Sequence, residues 1–432
     1  MRRVKTFYEF RQAQVFTPPE VIRLFWDIVS QRRERLDSVL DLGAGDGRFA
    51  KGGKYRRYLG IEIDHATPKG TLPANATLRY GCAFQLAGKD WDAVIGNPPY
   101  VRHHYIELPW TKKVARRFKK SLDVELNGQS NLFVYFLLLA LELSAENGLV
   151  AMVTPYEWVS RPSARPLRDL IDRSGWSVSV YRFRDRVFDG VMTTASISVI
   201  DKADPSGKWS FYEIDGSGTI RAKRQRSGSR HVVLPYANRG KWWALRGLSP
   251  GTQRVFTLTE GERIHHGLSL ADVWPCVTSL MPLPPETMTL DEATFRKFYR
   301  DAGEKCWLIR SSERRLRPEL RRYLAAVAPE DRATATCTSR DLWYAFKPFP
   351  ISQLLVASGF VSFGPKVVKN TIKAHHVGSV YGAFGSAGGS AQVLSALRAF
   401  DFERRVVQHS GHLKKIEVRQ LNSVLSDVCA KI

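Results

Sequence analysis

The sequence predicts an α/β protein in which a doubly wound, Rossmann-like sheet is followed by a second, mixed α+β domain. Three observations predict this fold class. Buried strands alternate with helices from residue 17 to residue 201, the first strand runs into a glycine-rich turn, and beyond residue 201 the strand and helix signals become short and irregular. We expect residues 1–235 to form the first domain and residues 236–432 the second.

The composition is that of a folded protein with an unusually high positive charge. The 432 residues are 44% hydrophobic and 25% charged, which is ordinary for a globular chain, and the formal net charge is +23. This charge favours a polyanionic partner, because lysine and arginine neutralise phosphates and release counterions. We therefore expect a nucleic acid as partner. The alternative is a basic membrane-surface protein, but no amphipathic basic helix or lipidation signal supports it.

The sequence carries no membrane or export signal. No apolar run reaches the roughly 18 residues that a membrane span needs, and the N-terminus leads into polar sequence. We expect a cytoplasmic protein without membrane contact. The five cysteines occur singly, without a Cys-x-x-Cys pair or a histidine at ligand spacing, which indicates free thiols and no metal site.

The first helix is predicted after Thr17. Thr17 and Glu20 have the spacing of a capping box, in which the two side chains bond each other's backbone N–H groups. Apolar residues at helical spacing follow: Val21, Leu24, Phe25 and Ile28.

A glycine-rich turn follows the next strand, at residues 38–42. Gly43, Gly45 and Gly47 would let the backbone approach a ligand, and a helix predicted after them would offer N–H groups to a carboxylate or phosphate. Their spacing differs from that of the dinucleotide fingerprint. In the following strand, Glu62 lies about 20 residues after the turn begins, where α/β sheets place a carboxylate on ribose hydroxyls. Together these features indicate a nucleoside cofactor.

A tetrapeptide that we term the clamp, Asn97-Pro98-Pro99-Tyr100, follows the apolar strand 92–96. The prolines fix their own φ and hold each preceding residue extended, so the Asn97 side chain and the Pro98 carbonyl can project as rigid acceptors. Tyr100 can lie flat against a ring. The pattern suits an amino group on a planar ring, although an ordinary strand-ending turn has the same composition.

The next stretch, 101–128, is rich in cations and predicts a loop and a helix that either faces solvent or contacts phosphates. A helix at 131–146, a strand at 148–154 and a helix after Arg161 follow. An antiparallel pair of strands near 178–182 and 195–200, with Phe188 between them, is predicted to close the sheet.

The second half has a different character. Residues 215–230 resemble a linker, and beyond them many aromatic residues stand next to cations, a combination that suits a DNA-binding surface. Examples are Trp242, Trp243, Trp307, Trp343, Tyr344, Phe363, Lys366, Lys369 and Lys373.

Taken in order, these motifs resemble the gamma class of N6-adenine DNA methyltransferases of the TaqI type, closely over the first domain and in outline beyond it. The resemblance implies a methyltransferase sheet that binds S-adenosyl-L-methionine, followed by a domain that recognises double-stranded DNA. It implies that Thr17 and the turn residues Gly43, Ala44, Gly45 and Gly47 hold the methionine end of the cofactor, with Asp41 near its amino group and Glu62 on the ribose. It also implies that Asn97 and the Pro98 carbonyl accept hydrogen bonds from adenine N6, that Pro99 completes the clamp, and that Tyr100 and Phe188 stack on the base.

The sequence departs from this class at one position. The family has an Asp-Phe pair that meets the cofactor's adenine, and the matching pair here is Ala83-Phe84. Loss of one hydrogen bond would weaken cofactor binding by about 1 kcal/mol. Phe84 remains a predicted cofactor contact.

The resemblance implies methyl transfer from S-adenosyl-L-methionine to N6 of a flipped-out adenine in duplex DNA. The chain would be the modification component of a restriction-modification system, acting as a monomer with a separate restriction endonuclease as a possible partner. Two alternatives stay open. One is a methyltransferase of RNA bases or of protein glutamine, and the other is a DNA-binding protein that has lost methylation.

Overall fold

The computed structural model describes residues 16–86, 88–126, 128–184, 187, 194–222, 237, 239–311, 316–385, 389–402, 408–410 and 413–430. The chain divides into two compact units, Met1–His231 with Gln408–Gly411, and Val232–Val407 with His412–Ile432. Within the described ranges, no helix has the length and apolar character to cross a membrane.

The described part of residues 16–222 forms one mixed sheet and four α-helices. Its strands are β1 (Leu36–Leu42), β2 (Tyr55–Glu62), β3 (Ala76–Tyr80), β4 (Trp91–Gly96), β5 (Ser144–Pro155), β6 (Ser177–Phe183), β7 (Ala195–Asp201), β8 (Trp209–Ile214) and β9 (Ile220–Ala222). Its helices are α1 (Pro19–Ser30), α2 (Leu108–Leu122), α3 (Leu132–Leu143) and α4 (Arg165–Ser174).

The strand order is β3-β2-β1-β4-β5-β7-β6-β8-β9. Strands β1 to β5 are parallel to one another, and β7 runs antiparallel to both of its neighbours, β5 and β6. The predicted α/β sheet with an antiparallel pair is therefore present. Because the parallel strands share one direction, their carboxyl ends meet at one edge, which we term the carboxyl edge.

The sequence predicted that the antiparallel pair would close the sheet, and this prediction is wrong. β8 pairs with β6 and β9 pairs with β8, so the sheet extends into the segment predicted as a linker. The cause is a tight turn: Asp215 Oδ1 accepts hydrogen bonds from the N–H groups of Ser217 and Thr219, and Gly218 has a φ of 81°. Its glycine and aspartate thus form a hairpin turn.

The helix predicted after the glycine-rich turn is also absent. A single 3₁₀ turn, Arg48–Ala50, stands in its place, and a second glycine pair, Gly52 and Gly53, follows at once. Since β2 begins at Tyr55, the connection is too short for a helix that could cross the sheet face. The turn therefore presents its own backbone to a ligand, without the N-terminus of a long helix behind it.

The first unit buries its apolar side chains on both sheet faces. α3, which is buried along almost its whole surface, packs on β4 and β5. α1 packs through Phe25, Ile28 and Val29 on a cluster that takes alternate residues of the same two strands, among them Ala93 and Leu149. A helix that is apolar on all sides belongs inside a protein. The rigid core holds the strand ends of the carboxyl edge in fixed positions.

The second unit has an α+β architecture with several small sheets. Its strands are β10 (Trp243–Leu245), β11 (Thr257–Leu258), β12 (Val273–Val277), β13 (Thr289–Leu290), β14 (Trp307–Ile309), β15 (Leu354–Ala357), β16 (Gly359–Phe360), β17 (Val367–Asn370), β18 (His375–His376), β19 (Val380–Phe384) and β21 (Leu413–Lys415). Strand β20 (Gln408–Ser410) precedes β21 in the sequence but belongs to the segment assigned to the first unit. The helices of the second unit are α5 (Gln253–Phe256), α6 (Glu260–His265), α7 (Glu292–Phe295), α8 (Pro318–Ala325), α9 (Pro329–Arg332), α10 (Ala335–Thr338), α11 (Ser390–Ala399) and α12 (Val418–Cys429).

Two sheets organise this unit, with the orders β10-β19-β15-β17-β13 and β11-β14-β12-β18. Most of the aromatic residues that the sequence offered as a DNA surface lie elsewhere: Trp242 and Trp307 are buried, and Trp343 and Tyr344 pack against the core. Phe363 is an exception and is 88% exposed.

Candidate active site

The carboxyl edge brings together the ends of β1, β2 and β4. Gly96, the last residue of β4, has a φ of 150°, and a Cβ there would lie 2.5 Å from the carbonyl oxygen of Leu42 at the end of β1. Glycine is therefore required for this approach. It places the start of the clamp directly beside the glycine-rich turn.

The glycine-rich turn is fastened to β2. The N–H groups of Gly43 and Ala44 both donate to the carbonyl oxygen of Ile61, over 3.0 and 2.9 Å. Gly43, Gly45 and Gly47 have φ values of 75°, 58° and 82°, in the region that favours glycine. The predicted close-approach turn is thus present in its local geometry.

Glu62 lies next to this turn but is already engaged by the backbone. Its Oε2 accepts a hydrogen bond from Gly45 N–H and its Oε1 accepts one from Asp64 N–H, each over 2.8 Å. The carboxylate is buried and holds the turn against the end of β2. Its predicted contact with ribose stays a prediction, and would use the remaining lone pairs of the same oxygens.

Asp41 is completely buried at the end of β1. Tyr58 donates its hydroxyl to Asp41 Oδ2, whereas Asp41 Oδ1 has no hydrogen-bond partner among the described residues. Burial raises the pKa of Asp41 to about 7 and outweighs the Tyr58 hydrogen bond, which lowers the pKa; the charges of Glu62 and Asp46 raise it a little further. An unpaired buried carboxylate oxygen is costly, so this position suits a ligand that brings a positive charge or a donor.

Thr17 reaches the clamp instead of capping α1. The N-cap residue of α1 is Pro18, and no side chain caps the helix, so the predicted capping box with Glu20 is wrong. The buried Thr17 hydroxyl accepts a hydrogen bond from Asn97 Nδ2 over 3.0 Å. This bond orients the Asn97 amide with its nitrogen toward Thr17.

Arg48 holds the segment before α1 against the turn. Its guanidinium donates to both carboxylate oxygens of Asp46, over 2.9 and 2.7 Å, and to the carbonyl oxygen of Thr17, over 2.9 Å. It also lies 4.6 Å from the ring centre of Phe16. The Arg48 hydrogen bonds lower the pKa of Asp46. Sequence reasoning missed this arginine, although its position two residues after an aspartate was a usable signal.

The rest of the clamp is fixed from the other side. Tyr100 donates its hydroxyl to the carbonyl oxygen of Val153 in β5 over 3.3 Å, and its ring meets Phe133 edge-on with centres 6.5 Å apart. Burial raises the pKa of the Tyr100 hydroxyl, which therefore stays protonated. Pro98 is buried, and Pro99 lies close to Gly43, so the clamp and the turn are neighbours.

Phe84 belongs to an aromatic group beside the turn. Its ring makes edge contacts with Trp110 and Phe136, at centre distances of 4.9 and 5.1 Å, and Phe136 approaches Gly43. Ala83 is buried just before it. Sequence reasoning missed Phe136, which is hidden in the apolar run of α3.

Phe188 lies outside the described residues, so its predicted stacking role stays a prediction. The connection that contains it runs from Phe183 to Ala195. Both of those residues lie at the carboxyl edge, because β6 runs parallel to β5 and β7 runs antiparallel to it. Over the described ranges, no group of three histidine, cysteine, aspartate or glutamate side chains could hold a metal ion.

Part of the chain matches a known protein family. Residues 65–188 match the family described as Eco57I restriction-modification methylase, a range that includes the clamp and begins after Glu62. The part of the chain that carries the clamp is therefore similar to restriction-modification methylases.

Two curated relatives are named as Type II methyltransferases. M.AccI of Acinetobacter calcoaceticus is 29% identical over 229 residues, which cover 44% of this chain and 42% of the relative. M.XamI of Xanthomonas campestris pv. amaranthicola is 28% identical over 279 residues, which cover 60% and 51%. The chain thus spans about half the length of these relatives.

Among solved structures, the chain is similar to the methyltransferase subunit of a type I restriction-modification system from Streptococcus thermophilus. The TM-score is 0.37 and the identity 18%, over 47% of each chain.

Proposed function

We propose that this protein is a site-specific DNA methyltransferase that transfers a methyl group from S-adenosyl-L-methionine to N6 of a flipped-out adenine. The observation that carries the proposal is the clamp, fixed beside the glycine-rich turn by the bond from Asn97 to Thr17. The family match over the clamp and the relatives named as Type II methyltransferases support it. As part of this proposal, the chain is the modification component of a restriction-modification system, a cytoplasmic monomer with a separate restriction endonuclease.

The residues at the carboxyl edge fit the cofactor. S-adenosyl-L-methionine carries a positive sulfonium and a positive ammonium group, and the turn is surrounded by three carboxyl groups, of which Asp41 has an unpaired buried oxygen. In the proposal, Thr17 and the turn residues Gly43, Ala44, Gly45 and Gly47 hold the methionine end, and Asp41 receives the ammonium group. Glu62 holds the ribose, and Phe84 contacts the adenine.

The bound cofactor would supply a methyl group that its sulfonium has already activated. The protein's task is then to position the target amine and to stabilise its developing charge. An exocyclic amine is a poor nucleophile because its lone pair is delocalised into the ring. Acceptors aimed at its two hydrogens, the Asn97 amide oxygen and the Pro98 carbonyl, favour the pyramidal form in which the lone pair is localised.

The clamp's rigidity suits this role. Asn97 is fixed through Thr17 and Tyr100 is fixed through Val153, so the acceptors need little reorganisation during transfer. The target base lies inside a duplex and must leave the stack, which costs a few kcal/mol that stacking on Tyr100 and Phe188 would offset. The second unit would recognise the surrounding sequence.

The test is to follow the methyl group. The purified chain is incubated with methyl-labelled S-adenosyl-L-methionine and, separately, with duplex DNA, RNA and protein, and the labelled product is identified after digestion. We expect N6-methyladenine in DNA alone, at one sequence motif when the DNA is sequenced for modified bases. Label on RNA, on protein glutamine or on cytosine would contradict the proposal. Binding to DNA without any label would favour a protein that has lost methylation, as the Ala83 replacement first suggested.

A further inference from the structure

Helix α2 has one buried side and one strongly cationic side. Thr111, Val114 and Phe118 face inward. Lys112, Lys113, Arg116 and Lys120 are exposed, and none of these four forms an ion pair with a described residue. They are spaced three or four residues apart, apart from the adjacent Lys112 and Lys113, so they form one continuous face. We term this the α2 cationic face.

The other cations of α2 are occupied, which separates them from this face. Arg117 points inward, where it pairs with Glu142 over 2.8 Å and donates to the carbonyl oxygen of Phe84 over 2.7 Å. Lys119 is neutralised by Asp123 and Glu125, at 2.7 and 3.0 Å. Arg117 and Lys119 therefore have acidic partners, whereas the four cations of the α2 cationic face are exposed to solvent.

The α2 cationic face lies close to the clamp. α2 begins eight residues after Tyr100, and its Trp110 contacts Phe84, which belongs to the aromatic group beside the glycine-rich turn. The hydrogen bond from Arg117 to the Phe84 carbonyl oxygen also holds α2 against this aromatic group. A polyanion held at the clamp would therefore pass near this helix.

We propose that the α2 cationic face binds the phosphates of the DNA strand that flank the extruded base. This inference rests on the proposed function and adds that the catalytic unit itself grips the strand. Lys112, Arg116 and Lys120 span about 12 Å of helix, and one strand of a duplex carries a phosphate about every 3.4 Å along the duplex axis, so the face is long enough to reach more than one phosphate. Exposed cations without an acidic partner are available for such contacts, and their place beside the clamp is what distinguishes them from exposed cations elsewhere on the unit.

The test compares two quadruple variants of the full chain. The first replaces the α2 cationic face, with Lys112→Gln, Lys113→Gln, Arg116→Gln and Lys120→Gln. The control replaces four other exposed cations that lie at or near the amino ends of strands, at the opposite edge of the sheet: Lys54→Gln, Arg56→Gln, Lys89→Gln and Lys208→Gln. Both variants lose four charges and place glutamine at exposed positions, so any difference between them reports location.

Affinity for a duplex oligonucleotide is measured over a range of salt concentrations. Each lost phosphate contact should reduce the slope of log affinity against log salt by about 0.9, so the first variant should lose a slope of about 3 to 4 while the control changes little. Its affinity for S-adenosyl-L-methionine, measured separately, should equal that of wild type, which shows that the unit is folded. Equal slopes for wild type and the first variant, or equal losses in both variants, would overturn the inference while leaving methyl transfer by wild type intact. A wild-type chain that does not methylate or bind DNA would overturn the proposed function itself.

Discussion

At the scale of single residues, the candidate site depends on side chains that are fixed by partners far away in sequence. Asn97 donates to Thr17, 80 positions earlier, and Tyr100 donates to Val153, 53 positions later. Arg48 in turn holds the Thr17 carbonyl. The residues with proposed chemical roles therefore have fixed orientations, which is what preorganised catalysis requires.

Replacing Asn97 tests the central acceptor. We expect Asn97→Ala to lower the rate of methyl transfer by about 10²-fold or more, because the amide oxygen stabilises charge that develops mainly in the transition state. Cofactor and DNA affinities should change little. Single-turnover rates and separate binding measurements check this. As a control, Asn75→Ala removes a side-chain bond to the Tyr55 carbonyl away from the site and should retain activity. An Asn97→Ala rate within about tenfold of wild type would contradict the assignment.

Asp41 should make both stability and cofactor affinity depend on pH. Its pKa in the folded protein is about 7, against 3.8 for an ordinary aspartate. Between these values the folded protein holds a proton that the unfolded chain has lost, so this carboxyl lowers the free energy of unfolding as pH rises from about 4 to about 7. A cationic ligand needs the ionised form, so cofactor affinity should fall by up to about tenfold per pH unit below pH 7.

The matched variants are Asp41→Asn and Asp46→Asn. The first should flatten both pH dependences, as seen in denaturant titrations and cofactor binding at several pH values. The hydrogen bond from Arg48 lowers the pKa of Asp46, so the stability that Asp46 contributes is lost as pH falls. This pH dependence has the opposite sign to that of Asp41. A pH dependence of cofactor affinity that survives in Asp41→Asn would exclude Asp41 as the titrating group.

At the scale of elements, the end of β4 must come very close to the end of β1. A Cβ on Gly96 would meet the Leu42 carbonyl at 2.5 Å and Asp41 Oδ1 at 3.1 Å. Gly81, after β3, has a similar φ, 156° against 150°, but open space around its Cβ position. The two glycines therefore separate backbone strain from steric clash.

Alanine at these two positions should have unequal effects. We expect Gly81→Ala to lower the free energy of unfolding by about 1–3 kcal/mol through strain alone. Gly96→Ala should lose a further 1–3 kcal/mol or so, because the neighbouring backbone must move. Denaturant midpoints at constant slope measure both. Equal losses would mean that the strand ends can separate freely.

Local features of this kind were predictable from sequence, and long-range ones were not. The spacing of Gly43, Gly45 and Gly47 and the apolar run of β4 are local signals, and both elements form as predicted. The helix predicted after the turn fails because Gly52 and Gly53 follow a single 3₁₀ turn. The capping role of Thr17 fails because α1 begins at Pro19 with Pro18 as its N-cap, so Thr17 lies one residue before the capping position. Its hydroxyl instead accepts from Asn97, a partner that only the folded sheet brings near.

At the scale of the whole molecule, the described residues of each unit form buried apolar clusters. One buried cluster is drawn from residues 21–214, and two others are drawn from residues 242–428. A core that uses only its own segment can form without the rest of the chain.

The second part alone should bind DNA if it is the recognition domain. We expect residues from Lys241 onward, expressed separately, to fold cooperatively and to bind duplex DNA with an affinity that falls steeply as salt rises. Thermal unfolding and binding at several salt concentrations measure this. The complementary fragment, residues 1–240, should bind S-adenosyl-L-methionine and should show no preference for any DNA sequence. A folded second part with no affinity for DNA at low salt would remove the proposed division of labour.

Because distant residues hold the clamp at both ends, the site can form only late in folding. Asn97 needs Thr17 from before the first strand, and Tyr100 needs Val153 from the fifth, so the tetrapeptide cannot acquire its shape from its own neighbourhood. Contacts between such distant positions form only once the intervening chain has collapsed onto the sheet. During synthesis, a nascent chain that ends before Val153 carries the complete motif but cannot yet form this arrangement. Refolded protein should accordingly regain secondary structure before it regains activity.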